Sequence, residues 1–281
     1  MTIRGTTEII AHIGFPTTTF KSPQIYNPYF EHAGIDAVVV PMGCHYEHFP
    51  DVLAAVFMLA NVRGALITMP HKVTAATMVD EASMAVRAAG SCNAVRRMKD
   101  GRLEGDLFDG EGFVRALRRN GCDPAGASAL VIGAGGVGSA IGASLAAAGV
   151  RTIALFDDQR ERARELANRL AALYPQLALT WDSNNPAGHD IVVNATPTGT
   201  DVDDPLPVDV DRLDHGAWVG DVVLVPEMTP FLIAAQARGC RVQVGTDMLF
   251  EQIPAYLEFF GFPTTSPDHL RRIAHGPGAK R

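Results

Sequence analysis

Ser128-Ala129-Leu130-Val131-Ile132-Gly133-Ala134-Gly135-Gly136-Val137-Gly138 combines an apolar run with three spaced glycines. Its first five residues are small or apolar, as in a strand buried on both faces, and the spaced glycines then turn the chain into a helix carrying Ile141 and Leu145. Gly133 lets the chain turn, Gly135 lets backbone amides approach a pyrophosphate, and Gly138 lets the helix pack on the strand. The helix N-terminus adds unpaired N–H groups and a partial positive charge suited to phosphates. Gly133, Ala134, Gly135, Gly136, Val137 and Gly138 are therefore candidate cofactor-binding residues.

Working outward, short apolar runs alternate with helix-length segments. Strands are expected over 151–156, 177–181, 191–194, 218–224 and 241–244, with helices over 159–173 and 229–238, the latter stopped by Gly239. This alternation predicts a doubly wound α/β unit. Asp157 and Asp158 close the second strand, where an acidic side chain accepts from the ribose hydroxyls and repels the extra phosphate of NADP. NAD is the expected cofactor and NADP remains possible, since Arg160 and Arg162 follow closely. The plainer alternative is that Asp157 and Asp158 cap the next helix.

The first hundred residues alternate less regularly. Strands are expected over 9–14, 36–41 and 64–69, helices over 23–33 and 47–61, and a hairpin of 92–98 with 102–107. At the hairpin's turn, Asp100-Gly101 suits a pair of positive-φ residues. A helix over 247–260 is expected to rejoin this part of the chain, and the tail from residue 266 is expected to fray. The expectation is an α/β protein of two domains: an N-terminal α/β substrate-binding and catalytic domain over 1–108, completed by helices in 246–281, and a Rossmann-type dinucleotide-binding domain over 109–245.

Composition narrows the function classes. With 281 residues, 47% of them hydrophobic, there is enough apolar material for two cores. A net charge of −7 with unclustered Lys and Arg argues against nucleic-acid binding. No run is apolar and long enough for a signal peptide or a membrane span, so neither membrane nor export is expected. Cys44, Cys92, Cys122 and Cys240 lack CxxC spacing and suit reduced thiols in a cytoplasmic protein. Cys44-His45-Tyr46-Glu47-His48 reads as a helix start rather than a metal site, for want of a second ligand set. The loop from Val202 to Pro207 reads as a lip of the cofactor site or as a plain connection.

Further motifs carry a family resemblance. Ser22-Pro23 with Asn27, Thr68-Met69-Pro70-His71-Lys72, Gly90-Ser91-Cys92-Asn93, Gly105 with Asp109, Asn194-Ala195-Thr196-Pro197, Thr229-Pro230-Phe231-Leu232, and Gly245-Thr246-Asp247-Met248-Leu249-Phe250-Glu251-Gln252 occur in the order and spacing of the shikimate and quinate dehydrogenases. The chain resembles that family from Gly14 to Gly261. The resemblance implies hydride transfer between a nicotinamide cofactor and a ring hydroxyl, as in aromatic amino acid biosynthesis or quinate metabolism. It makes Lys72 the proton-exchanging group with Asp109 beside it. Ser22, Thr68, Asn93 and Gln252 become substrate-binding residues, and Thr196, Pro197, Val222, Gly245 and Met248 cofactor neighbours. The chemistry is coherent, because burial and a neighbouring carboxylate set a lysine's charge state.

Departures from the family pattern bear on substrate. Phe20 stands where the family has the first Ser of its loop, Leu66 replaces an Asn, Gly105-Asp106-Leu107-Phe108-Asp109 replaces Gly-x-Asn-Thr-Asp, and Leu224 replaces a Tyr. The family's Ser and Tyr hold the substrate carboxylate, so a carboxylate against Phe20 and Leu224 would lack donors. A relative of shikimate or quinate with a different group at that end is expected. The competing readings are a methylene-folate dehydrogenase and a non-catalytic sensor of NAD or a ring acid. The partner is expected to be a small molecule, with the chain a monomer or homodimer.

Overall fold

Near-unbroken burial along strands and single buried stripes along helices organise the chain into two α/β units. They are seen in a computed structural model that describes residues 2–201 and 203–275. One unit comprises residues 1–86, 91–108 and 253–281, and the other 87–90 and 109–252.

The first unit is built on β1 (Glu8–Gly14), α1 (Ser22–Ala33), β2 (Ala37–Gly43), α2 (Phe49–Val56), β3 (Val62–Ile67), α3 (Lys72–Ala76), β4 (Glu81–Ala82), the first half of α4 (Met84–Ala89), β5 (Ala94–Arg97) and β6 (Leu103–Asp106). Its sheet runs β2-β1-β3-β5-β6-β4. β1 is parallel to both β2 and β3, whereas β5 is antiparallel to β3 and β6. Asn27 ties α1 to the sheet, donating to the Val39 carbonyl (3.1 Å) and accepting from its N–H (2.7 Å).

Several expectations need correction here. The hairpin forms, but only Gly101 takes positive φ (91°), and no non-glycine residue does among the described residues. Gly101 N–H reaches the Met98 carbonyl and Met98 N–H the Arg102 carbonyl, so the turn closes around Lys99, Asp100 and Gly101 as a three-residue loop. The helix expected over 47–61 ends at Val56 and begins with a 3-10 turn, Tyr46–His48, because Pro50 fixes the α-helical start at Phe49. The tail does not fray at residue 266. Ser266 Oγ accepts from His269 N–H and opens a helix over Pro267–His275 whose Leu270 is fully buried. The residues after 275, and Val202 of the loop singled out above, lie outside the described residues.

The second unit contains α5 (Asp109–Arg119), β7 (Ser128–Ile132), α6 (Gly136–Ala147), β8 (Thr152–Phe156), α7 (Arg160–Leu173), β9 (Ala178–Thr180), β10 (Ile191–Asn194), β11 (Trp218–Asp221), α8 (Pro230–Ala237), β12 (Arg241–Gln243) and the first part of α9 (Gly245–Phe260); the tail helix is then α10. All six strands are parallel in the order β12-β11-β10-β7-β8-β9, the doubly wound arrangement. β11 stops at Asp221 rather than running to 224, because the Asp221 carboxylate accepts the Val223 N–H (3.0 Å) and bends the chain. The unit boundary at 252/253 falls inside α9, beyond the 245/246 division read from the sequence. The early part of α9 lies on α5: a Cβ at Gly112 would sit 2.6 Å from the Met248 carbonyl oxygen.

α5 and α6 approach so closely that a Cβ at Gly110 would fall 2.0 Å from the Ala140 carbonyl oxygen, a backbone atom that cannot move aside. Gly110→Ala gains a little helix propensity but must separate two helices, and overpacking of this kind costs about 1–3 kcal/mol. Urea denaturation is expected to show a lower midpoint with an unchanged slope.

Candidate active site

In the first unit the candidate residues gather at the C-terminal ends of β1 and β3, the edge where parallel sheets bind ligands. Thr68 follows β3 and donates its N–H to the Ile13 carbonyl (2.9 Å). Its methyl lies 2.4 Å from where a Cβ on Gly14 would stand, and the tip of the Phe20 ring 3.0 Å from the same point, so only glycine allows this convergence. Lys72 opens α3 and is buried, and its carbonyl accepts the Cys92 N–H (2.8 Å). Next to Cys92, Asn93 accepts the Phe108 N–H on its side-chain oxygen (3.0 Å), while its buried Nδ2 has no hydrogen-bond partner. That amide is a buried donor whose hydrogen-bonding capacity no described residue uses. Ser22 is half-buried at the first turn of α1.

A residue that the sequence reading passed over sits among these. His12, in the middle of β1, is 6% exposed and stacks on Phe20 with ring centroids 4.0 Å apart. Strand register pairs it with Leu66, which places the two side chains on one face. Its Nδ1 is buried without a partner. Burial first, and the Lys72 charge second, lower its pKa to about 4, so the ring is neutral at pH 7. The available signal was one histidine interrupting an otherwise apolar strand.

Elsewhere in this unit, His71 stacks on Phe49 (4.2 Å) and its Nε2 pairs with the Cys44 carbonyl (2.9 Å). Burial pushes the Cys92 thiol up to about 12, which leaves it protonated and inert.

In the second unit the glycine loop is built as the sequence suggests. Gly133 has φ 96°, and a Cβ on Gly138 would lie 1.8 Å from the Gly133 carbonyl oxygen. No side chain caps α6, whose N-cap is Gly135. Val137 lies in the first turn of the helix. Asp157 binds two backbone amides, accepting from Ala134 (2.8 Å) and Gln159 (2.8 Å). It therefore fastens the glycine loop and starts the next helix together, whereas Asp158 is exposed. Arg160 pairs with Asp182 (2.6 Å). These residues fit a dinucleotide: a tight loop, an uncapped helix N-terminus and a carboxylate at the end of the second strand.

The Asn194-Ala195-Thr196-Pro197 segment folds on itself. Asn194 accepts from the Thr196 hydroxyl (2.7 Å) and donates to the Thr198 carbonyl (2.9 Å) and to Asp221 (3.1 Å). Asp221 also accepts from the Thr229 hydroxyl (2.8 Å), and burial raises its pKa. Val222 N–H donates to the Asn194 carbonyl (3.1 Å), and the carbonyls of Val222 and Val223 crowd Gly245, where a Cβ has no room. Met248 and Gln252 are buried on α9, the latter with its Oε1 unpartnered, and Asp109 is buried as the first residue of α5. The candidate residues thus divide between the units: Phe20, Ser22, Leu66, Thr68, Lys72 and Asn93 in the first, and Asp109, Gln252 and the cofactor set in the second.

Comparison with known proteins bears on this arrangement. Residues 13–95 match the shikimate dehydrogenase substrate binding domain. The shikimate dehydrogenase (NADP(+)) of Acidiphilium cryptum is 34% identical over 97% of this chain and 97% of its own. The chain belongs to the shikimate dehydrogenase family. Among solved structures, shikimate 5-dehydrogenase from Listeria monocytogenes in complex with shikimate and NAD superposes with a TM-score of 0.87 at 28% identity, covering 96% of each chain. The ligand-free 5-ketofructose reductase of Gluconobacter sp. strain CHM43 gives a TM-score of 0.85 at 26% identity, covering 96% of this chain and 98% of its own. An α/β substrate-binding domain followed by a Rossmann-type nucleotide domain is the family's architecture and the one seen here. No helix among the described residues is long and apolar enough to cross a membrane.

The neutral state of His12 has a consequence for stability. Unfolded, its imidazole takes a proton near pH 6.5; folded, only near pH 4. Between those values the unfolded chain binds more protons, so stability is full above about pH 6.5 and falls as pH drops toward 4. The depression corresponds to about 3 kcal/mol. Urea unfolding at pH 7 and pH 4 is expected to show a loss smaller by about that amount in His12→Leu than in the wild type.

Proposed function

We propose that this chain is an NAD-linked dehydrogenase that moves a hydride between nicotinamide and a hydroxyl-bearing carbon of a shikimate- or quinate-like substrate, with the group at the substrate's carboxylate end altered. The observation that best supports the reading is the buried Lys72 at the head of α3, in one unit with the unpartnered Asn93 amide. A proton acceptor and a hydroxyl-binding donor are the two things that alcohol oxidation requires of a substrate domain.

The nicotinamide supplies the hydride acceptor, and the chain's residues handle the rest. Gly133 to Gly138 and the α6 N-terminus would hold the phosphates of the dinucleotide, and Asp157 its ribose hydroxyls. Lys72 takes the hydroxyl proton as the carbonyl forms and returns it in the reverse direction. Asn93 donates to a substrate hydroxyl, and Gln252, Thr68 and Ser22 contribute further polar contacts. Thr196, Pro197, Val222, Gly245 and Met248 flank the cofactor. Asp157 and the engagement of Arg160 by Asp182 support NAD over NADP. The A. cryptum relative is named for NADP(+), and the Listeria structure holds NAD.

Two measurements test this. Lys72→Ala is expected to lower kcat by about 10²–10⁴-fold with the Kd for NAD unchanged, read by stopped-flow absorbance and calorimetry. Wild-type turnover with little change in Lys72→Ala would point to another base, and NAD binding without turnover on any ring alcohol to a sensor. Asp157→Ala is expected to weaken NAD at least tenfold and to narrow the preference for NAD over NADP, since it loosens the glycine loop and removes the repulsion together.

A further inference from the structure

The end of the first unit's ligand face that carries Phe20 and Leu66 is less apolar than those two residues suggest, because His12 lies beside them. His12 is 6% exposed, its imidazole stacked on Phe20 and the residue in register with Leu66, yet no group among the described residues pairs with its Nδ1. A buried polar atom left unpaired loses its hydration without recompense. That cost is tolerated at functional sites, where a ligand completes the bond.

The chemistry of the ring selects what that ligand is. Burial keeps the imidazole neutral, so it brings one N–H donor and one lone-pair acceptor. A hydroxyl is likewise donor and acceptor, and a carbonyl accepts from the N–H. A carboxylate only accepts, carries a charge the neutral ring does not balance, and would lie against a phenyl ring and an isobutyl group in place of the family's Ser and Asn. The Phe20 stack fixes the plane of the imidazole and with it the direction of its hydrogen bonds.

We propose that His12 is a specificity residue: its imidazole receives a hydroxyl or carbonyl of an uncharged polyol or keto sugar at the position where shikimate-type substrates carry their carboxylate. The assignment rests on the dehydrogenase reading above and names the substrate class for it.

The test is steady-state kinetics of the full-length protein with NAD and NADH on shikimate, quinate, methyl shikimate (the uncharged ester) and 5-ketofructose, for the wild type, His12→Leu, and the double variant Phe20→Ser with Leu66→Asn. The wild type is expected to use at least one uncharged compound with kcat/KM tenfold or more above shikimate. His12→Leu should lower that value at least tenfold, mainly through KM, and the double variant should raise kcat/KM for shikimate at least tenfold. If His12→Leu does not fold, as judged by thermal melting, His12→Asn is read by the same ratio. Preference of the wild type for shikimate or quinate, or a ratio of uncharged to acid substrate that His12 substitution moves by less than twofold, overturns the assignment and leaves the dehydrogenase reading intact. Absence of turnover on all four compounds overturns both.

Discussion

The cost of burying charge and unpaired polar groups governs this molecule's ligand face. Toward the end of β1 a phenyl ring, an isobutyl group and a neutral imidazole come together. None of the three offers the array of donors a carboxylate needs on leaving water. Beside them the buried Asn93 amide and the lysine at the head of α3 are retained. On the proposed reading, the groups that handle hydroxyls and protons are kept, while those that hold a charge are replaced.

The nucleotide unit shows the same economy in its backbone. Gly138 and Gly245 each occupy a place where a Cβ would collide with carbonyl oxygens, and Asp157 spends both carboxylate oxygens on backbone amides of the loop and the next helix. The loop is fastened by the residue that the family pattern assigns to the ribose. On the proposed reading, cofactor choice and loop rigidity are coupled through this one side chain. The internal bonds of the Asn194 turn, closed by the buried Asp221, fix the neighbouring strand end in a similar way.

Much of this was legible in the sequence because glycine spacing and apolar runs are local signals. β7 and β10 lie where the apolar runs place them, and α7 and α8 agree to within a residue or two. The signals that failed were those in which a side chain reaches back to its own backbone. Asp221 ends β11 early, Ser266 caps a helix in a stretch whose glycines and prolines suggested fraying, and Gly101 alone supplies the positive φ of the hairpin turn. α5 was missed although Phe113 and Leu117 form its buried stripe, because no motif drew attention to it. His12 was hidden for a different reason: a histidine within an apolar strand acquires meaning only once Phe20 is seen to stack on it.

A crystal structure of the enzyme with NAD and a bound uncharged substrate tests the central claim most directly. The account predicts a hydroxyl or carbonyl of the ligand within hydrogen-bonding distance of the His12 ring, carbon atoms against Phe20 and Leu66, and the reacting oxygen within reach of the Lys72 amine. A ligand carboxylate seated against Phe20 and Leu66, or a reacting oxygen remote from Lys72, would contradict it.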